Sequence, residues 1–321
     1  MTVLMTETGR ARGRGLLALL VLTATSFAAV AHEPFQGSLP LGDGKRSSAP
    51  KVGALYGCPL PPGGGGAQAA GPWIKGATWV PAEKAVVGGD VAWPEAKLEI
   101  KRVGGERIVT GNALPAHATG IFPVRPSEPG YAYDRNPNRI GPRPFEIVLP
   151  TEPRPAAQAS CVGGPVGVTL SGVVLFDAVD ALGRDAPAHE IQDRCNGHPQ
   201  RQGLYHYHGF SPCVPDAAGA AGRHSDLIGY AFDGFGIFGL KGEGGRELTN
   251  ADLDECHGHS HSVDWDGRRV EIYHYHLTRE FPYSLGCYRG TPRRVPGLAG
   301  GPDGHGGPGG PGGPGGRPPP R

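Results

Sequence analysis

The string Tyr-His-Tyr-His stands twice in this chain, in LYHYHGF (residues 204–210) and in IYHYHLT (residues 272–278). Read as extended strands, both segments send successive side chains to opposite faces. His206 and His208 then share one face, with Tyr205 and Tyr207 on the other. His274 and His276 stand in the same relation to Tyr273 and Tyr275. Two histidines on one face, backed by tyrosines that can pack into a core, are a device for aiming imidazoles.

The repetition extends beyond these strings. VGVTLSGVVLF (166–176) aligns without gaps on IGYAFDGFGIF (228–238), in the frame apolar-Gly-x-x-apolar-x-Gly-x-x-apolar-Phe. DRCNGH (193–198) matches DECHGH (254–259), and each copy closes on a cysteine, Cys213 or Cys287. Landmarks in the same order imply an internal duplication, with copies at about 162–213 and 224–287. Similar units pack about a pseudo-two-fold axis, as in symmetric dimers. That packing is expected to bring the two Tyr-His-Tyr-His strands together.

The frame also bears on the six cysteines. Cys195–Cys213 and Cys256–Cys287 respect the duplication, which leaves Cys58 with Cys161. Six cysteines allow fifteen pairings, so the frame gives a preference among them. Zinc binding is the other use of such thiols, but no Cys-x-x-Cys occurs.

Two His-x-His strands supply four imidazoles, a sufficient set for zinc or copper. The expected ligands are His206, His208, His274 and His276, with His198 and His259 as alternates; His257 and His261 lie nearby. A metal-bound imidazole needs an acceptor on its other nitrogen, and Asp193 and Asp254 are the candidates. Zinc with an open position lowers the pKa of bound water to about 7 and supports hydrolysis. Asp193, Asp254 or Asp233 is then the candidate base. Asp233 stands where the first copy has Ser171, so the halves are chemically unequal. The alternative is a metal-free network of buried tyrosines and histidines in a structural module that binds a small molecule, glycan or protein. The spacing His274-x-His276-x3-Glu280 resembles that of cupin barrels, but Gly267 and Gly286 are each one residue off and Pro212 fills the glutamate position of the first copy.

Weaker signals surround this centre. Asp134-x-Asn136-x-Asn138 opens like a calcium loop, but Arg139 and Phe145 stand where glycine and glutamate are needed, so it reads as an Asx turn. His117 reads as a loop histidine. His32, at the N-terminus expected after signal cleavage, is a weak copper candidate. No nucleophile elbow, Walker loop or dinucleotide fingerprint is present.

Composition sets the frame. Net charge is +1, which favours neither nucleic acid nor an anionic surface as partner. Residues 1–31 carry a basic segment (Arg10, Arg12, Arg14), a short apolar run and Ala29-Val30-Ala31, and read as a secretory signal. No later segment is long enough for a membrane span. A signal and six cysteines together predict a secreted or periplasmic, disulfide-bonded protein. Fifty-five glycines and 34 prolines, with WIKGATWV and KLEIKRV reading as strands, predict a mainly β body with few short helices and long Gly/Pro-rich loops. Residues 32–51 read as a flexible leader, 52–155 as a β-rich region, 156–292 as the duplicated region and 293–321 as a disordered tail. One short helix is expected near Asn250–Glu255, capped by Thr249.

WIKGATWV, NALPAHATGIFPV, YAYDRNPNRI, HEIQDRCNGH, GLYHYHGFSPC, IGYAFDGFGIFG, EIYHYHLT and FPYSLGCYRG together resemble the YHYH-domain proteins. The likeness spans roughly Val52 to Thr291. It implies export and a common fold, and it assigns no activity, substrate or cofactor. Where the family pattern expects Asp-Gly-Phe-Pro-Ile-Tyr-Gly, residues 233–239 read DGFGIFG, without the proline and the tyrosine hydroxyl.

Overall fold

The structure, a computed structural model, describes residues 35–60, 65–295 and 297–298. The expected signal segment, residues 32–34 of the leader, part of the PPGGGG loop and most of the Gly/Pro-rich tail lie outside the described residues. The fold is mainly β, as the composition predicts. Short strands β1 (Leu39–Pro40), β2 (Arg46–Ser47), β3 (Leu55–Tyr56), β4 (Ile74–Lys75) and β5 (Thr78–Trp79) make two small sheets, β1-β5-β4 and β2-β3. Two of them fall in the expected flexible leader, which instead joins the body from Phe35 onward. Leu39 is buried, and the Gly42 N–H donates to the Asp185 carboxylate at 2.7 Å. The partners that order this stretch lie some 140 residues away, which is why local composition did not reveal them.

Strands β6 (Leu98–Val103), β7 (Glu106–Gly111) and β8 (Phe145–Pro150) form an antiparallel sheet. In β8 the alternation is strict: Phe145, Ile147 and Leu149 are buried and their neighbours face out.

The largest sheet has eight strands: β9 (Pro165–Thr169), β10 (Val174–Phe176), β11 (Gly197–Pro199), β12 (Tyr205–Tyr207), β13 (Leu227–Ala231), β14 (Gly236–Phe238), β15 (Gly258–Trp265) and β16 (Arg268–His276). Their order is β11-β12-β10-β9-β13-β14-β16-β15. Read from either edge, the same succession of sequence-equivalent strands appears. At the centre, antiparallel β9 and β13 pair Val168 with Tyr230, flanked by Gly167–Ala231 and Thr169–Gly229. The sequence frame equates Val168 with Tyr230, Gly167 with Gly229 and Thr169 with Ala231, so exchanging the copies leaves this register unchanged. That is the geometry of a two-fold normal to the sheet between Val168 and Tyr230. The glycines of the frame belong to it: a Cβ on Gly229 would lie 2.5 Å from the Val168 carbonyl oxygen, and one on Gly167 2.7 Å from that of Tyr230.

This arrangement corrects the expectation that the two Tyr-His-Tyr-His strands meet. β12 and β16 stand five places apart in the sheet, about 24 Å at 4.7–4.9 Å per strand. The axis runs through the shared frame at the sheet centre and leaves both strings near the edges.

Disulfides join Cys58–Cys161, Cys195–Cys213 and Cys256–Cys287, the pairing that the duplicated frame favours. α1 (Ala186–His189) is capped by the Asp185 side chain, which accepts from the Ala188 N–H. The element expected after Thr249 is a single 3-10 turn, Asn250–Asp252, in which the Asp252 carboxylate accepts from the Thr249 N–H and hydroxyl.

Asp185 ties the leader, α1 and the loop after β16 together through Gly42, Ala188 and the Tyr283 hydroxyl. Burial pushes its carboxyl up to about 6, against hydrogen bonds that favour the charged form. Between about pH 4 and 6 the folded state therefore holds a proton that the unfolded chain releases. This group's contribution to stability is full below about pH 4 and is lost as pH rises through about 6. D185N lacks the titration. Its melting temperature relative to the native chain is expected to rise by several degrees from about pH 4 to about pH 7, whereas a pH-independent difference contradicts the buried carboxyl.

Candidate metal centres

Each Tyr-His-Tyr-His strand is locked from its tyrosine side. The Tyr205 hydroxyl donates to both oxygens of Asp193 at 2.9 Å, and that carboxylate also accepts from the N–H groups of Gly120, Cys195 and Gly197. In the second copy the Tyr273 hydroxyl donates to Asp254 at 2.9 Å, which accepts from Cys256 and Gly258 N–H. The Asp-x-Cys-x-Gly loop is thus a turn folded round its own carboxylate and pinned to the first tyrosine of the string. The glycine is required by close approach: a Cβ on Gly197 or Gly258 would fall 2.3 or 2.4 Å from the tyrosine hydroxyl. The second tyrosines differ between copies. Tyr207 bonds His117, and Tyr275 donates to Asp233. Asp233 also accepts from Gly290 and Phe235 N–H. Asp193 and Asp233 are buried and Asp254 is half-buried, and all three are bonded to tyrosine hydroxyls and backbone N–H groups.

The histidines lie on the opposite face. His206 Nδ1 faces the Leu204 carbonyl at 3.2 Å, and His274 Nδ1 faces that of Ile272 at 2.9 Å. His208 Nδ1 bonds the Asp177 carbonyl, and His276 Nδ1 that of Gly239 at 2.7 Å. These carbonyls are sequence-equivalent in the two copies. They fill the acceptor role for which Asp193 and Asp254 were the candidates, because those carboxylates lie behind the strand. A carbonyl oxygen only accepts, so each of these Nδ1 atoms carries a proton, and on each neutral ring Nε2 presents a lone pair. Phe176 packs on His206, and Phe238 on His274, walling each set on one side.

The six expected ligands therefore divide into two groups, and each is completed locally. His198, on β11 beside β12, joins His206 and His208; the Nε2 of His208 is 3.0 Å from that of His206 and 3.2 Å from that of His198. His259, on β15, joins His274 and His276, together with His261 and His224. Within this second group the ligand nitrogens lie within 4.8 Å of one another. His224 was not among the sequence candidates. It is a lone histidine in a loop, and no local pattern marks it. Its Nε2 stands 3.0 Å from that of His276, while its Nδ1 faces the Ser225 carbonyl at 2.6 Å. His261 Nδ1 faces the Ser262 carbonyl at 3.2 Å.

The five-histidine group carries an electrostatic contradiction as it stands. The Nε2 atoms of His259, His261 and His274 are buried without a hydrogen-bond partner. Each such atom costs about 1–3 kcal/mol, a large share of the roughly 5–15 kcal/mol of net stability typical of a protein. Protonation offers little relief. Burial, then neighbouring rings, hold His274 down to about 2 and His259 to about 4, and His276 lies well below its ordinary value. Neutral imidazoles with converging lone pairs are the donor set that zinc or copper takes. His257, by contrast, donates to or accepts from the Thr278 hydroxyl at 3.0 Å and stands apart. His117 lies near Cys195 and Cys213, whose sulfurs are bonded to each other.

Residues 146–248 match a family model described as YHYH protein. The matched stretch starts in β8, takes in the first Tyr-His-Tyr-His strand and the β13–β14 hairpin, and ends before the second such strand. No match was found among curated proteins or among solved structures. Residues 146–248 are thus similar to the YHYH family, the one that the sequence motifs resemble.

Proposed function

We propose that this chain is a secreted or periplasmic protein that binds a transition-metal ion, zinc or copper, at His224, His259, His261, His274 and His276. The observation that carries the reading is the set of three buried, unpartnered Nε2 atoms facing one another in that group. Four of its rings have Nδ1 against a backbone carbonyl, which fixes tautomer and direction as metal-bound histidines require. His224, His259 and His261 are only partly buried, so an ion can reach the centre from solvent. Three disulfides agree with an oxidising compartment. No helix among the described residues is long and apolar enough to cross a membrane.

Binding is favoured over metal-assisted hydrolysis by the position of the carboxylates. Asp193, Asp254 and Asp233 are engaged by tyrosine hydroxyls and backbone N–H groups on the far side of the strands. In this reading they are framework residues that hold the loops and strands from which the histidines project.

Two outcomes are expected. The full chain, stripped with chelator and titrated with zinc(II) or copper(II), binds tightly. The H261A/H274A double variant loses more than about 100-fold in affinity at this centre, since outer-shell changes alone cost about 10–100-fold. An unchanged titration in the double variant refutes the site. For the framework role, D254N keeps the metal stoichiometry and melts several degrees lower. Loss of metal with an unaltered melting temperature would instead put that carboxylate at the ion.

A further inference from the structure

The first copy holds a partner that the second lacks. Glu190, just after α1, points a carboxylate oxygen at two of its three histidines, 3.5 Å from His198 Nε2 and 3.4 Å from His208 Nε2. The imidazole separations there are 3.2 and 3.0 Å. A tetrahedron with metal–ligand bonds of ~2.0–2.1 Å has edges of about 3.3 Å. These four separations match four of the six edges of such a tetrahedron, and all four residues are buried.

One proton on His208 Nε2 serves only one of its neighbours. With Nδ1 of His208 committed to the Asp177 carbonyl, an imidazolium at His208 has one remaining N–H. That hydrogen serves one of three acceptors, His198 Nε2, His206 Nε2 or the Glu190 oxygen, and leaves the others facing one another. A four-coordinate ion serves all four at once.

We propose that His198, His206, His208 and Glu190 form a second metal site, closed and tetrahedral, that holds zinc(II) in a structural role. It is separate from the five-histidine centre, because its strands lie at the other end of the sheet. Three nitrogens and one carboxylate oxygen complete zinc's preferred four ligands and leave no open position. The ion would pin the segment after α1 to β11 and β12. Lys84 also holds that segment: its ammonium donates to the Pro187 carbonyl and to Gln192. Glu190 is not in a His-x-His pattern, and the sequence offers it only as a neighbour of His189.

The test uses the full, disulfide-bonded chain, stripped with chelator and reconstituted with zinc chloride, with metal counted by mass spectrometry and melting followed with and without zinc. The native chain is expected to hold two ions. H261A/H274A keeps one. E190Q also keeps one, and it loses most of a zinc-dependent rise in melting temperature, about 5–10 °C for a ligand at ~100 times its Kd. If E190Q binds as many ions as the native chain, or if its melting gains as much from zinc, the closed site is refuted. If the native chain and H261A/H274A both hold one ion that E190Q lacks, the closed site stands and the five-histidine reading falls. A native chain that holds no zinc overturns the proposal in favour of a His208–Glu190 ion pair.

Discussion

A backbone carbonyl that accepts the Nδ1 proton of a buried imidazole leaves the other nitrogen with a lone pair and no proton to give. Eight strands, two loops folded round aspartates and a row of tyrosines cooperate to impose that condition on several rings at once. His206 and His274 meet the carbonyl two residues back; His208 and His276 meet equivalent carbonyls on the neighbouring β10 and β14 edges. In water such a lone pair finds a proton donor. Here burial removes that option and aims the lone pairs at one another. Three Nε2 atoms, on His259, His261 and His274, are left buried without a hydrogen-bond partner, and the rest of the framework holds the rings in place.

The framework is nearly symmetric and the two histidine groups are not. Register at the β9–β13 axis, the disulfides within the copies, the Asp–Tyr locks and the histidine–carbonyl pairs recur in both halves. The differences lie in what is added at the rim. Glu190 adds a carboxylate beside His198 and His208 in the first group. His224 and His261 enlarge the second with neutral donors and keep it nearer to solvent. Ser171 against Asp233 marks the same divergence on the tyrosine side, where Tyr207 finds His117 and Tyr275 finds a carboxylate.

Much of this could be read from the chain alone. Alternation in the two strings put tyrosines and histidines on opposite faces, and the gapless frame anticipated the disulfide pairing and the central glycines. What the chain did not disclose depends on distance in three dimensions. A duplication predicts an axis but not its location, so the expected meeting of β12 and β16 failed once the axis fell between β9 and β13. Glu190 and His224 reach their sites from loops, where spacing carries no information. Gly42 and Leu39 were assigned to a loose leader because their partners, such as Asp185, are remote in sequence. Asp193 and Asp254, expected from the sequence to accept from the imidazoles, accept instead from Tyr205 and Tyr273, which alternation along the strands puts on the other face.

The most direct measurement is anomalous diffraction from crystals of the reconstituted protein, recorded on both sides of the zinc or copper edge. An anomalous peak is expected about 2.0–2.1 Å from the Nε2 atoms of His274 and His276. Nε2 atoms in that group that hydrogen-bond to water or protein, with no anomalous density among them, would contradict metal binding there.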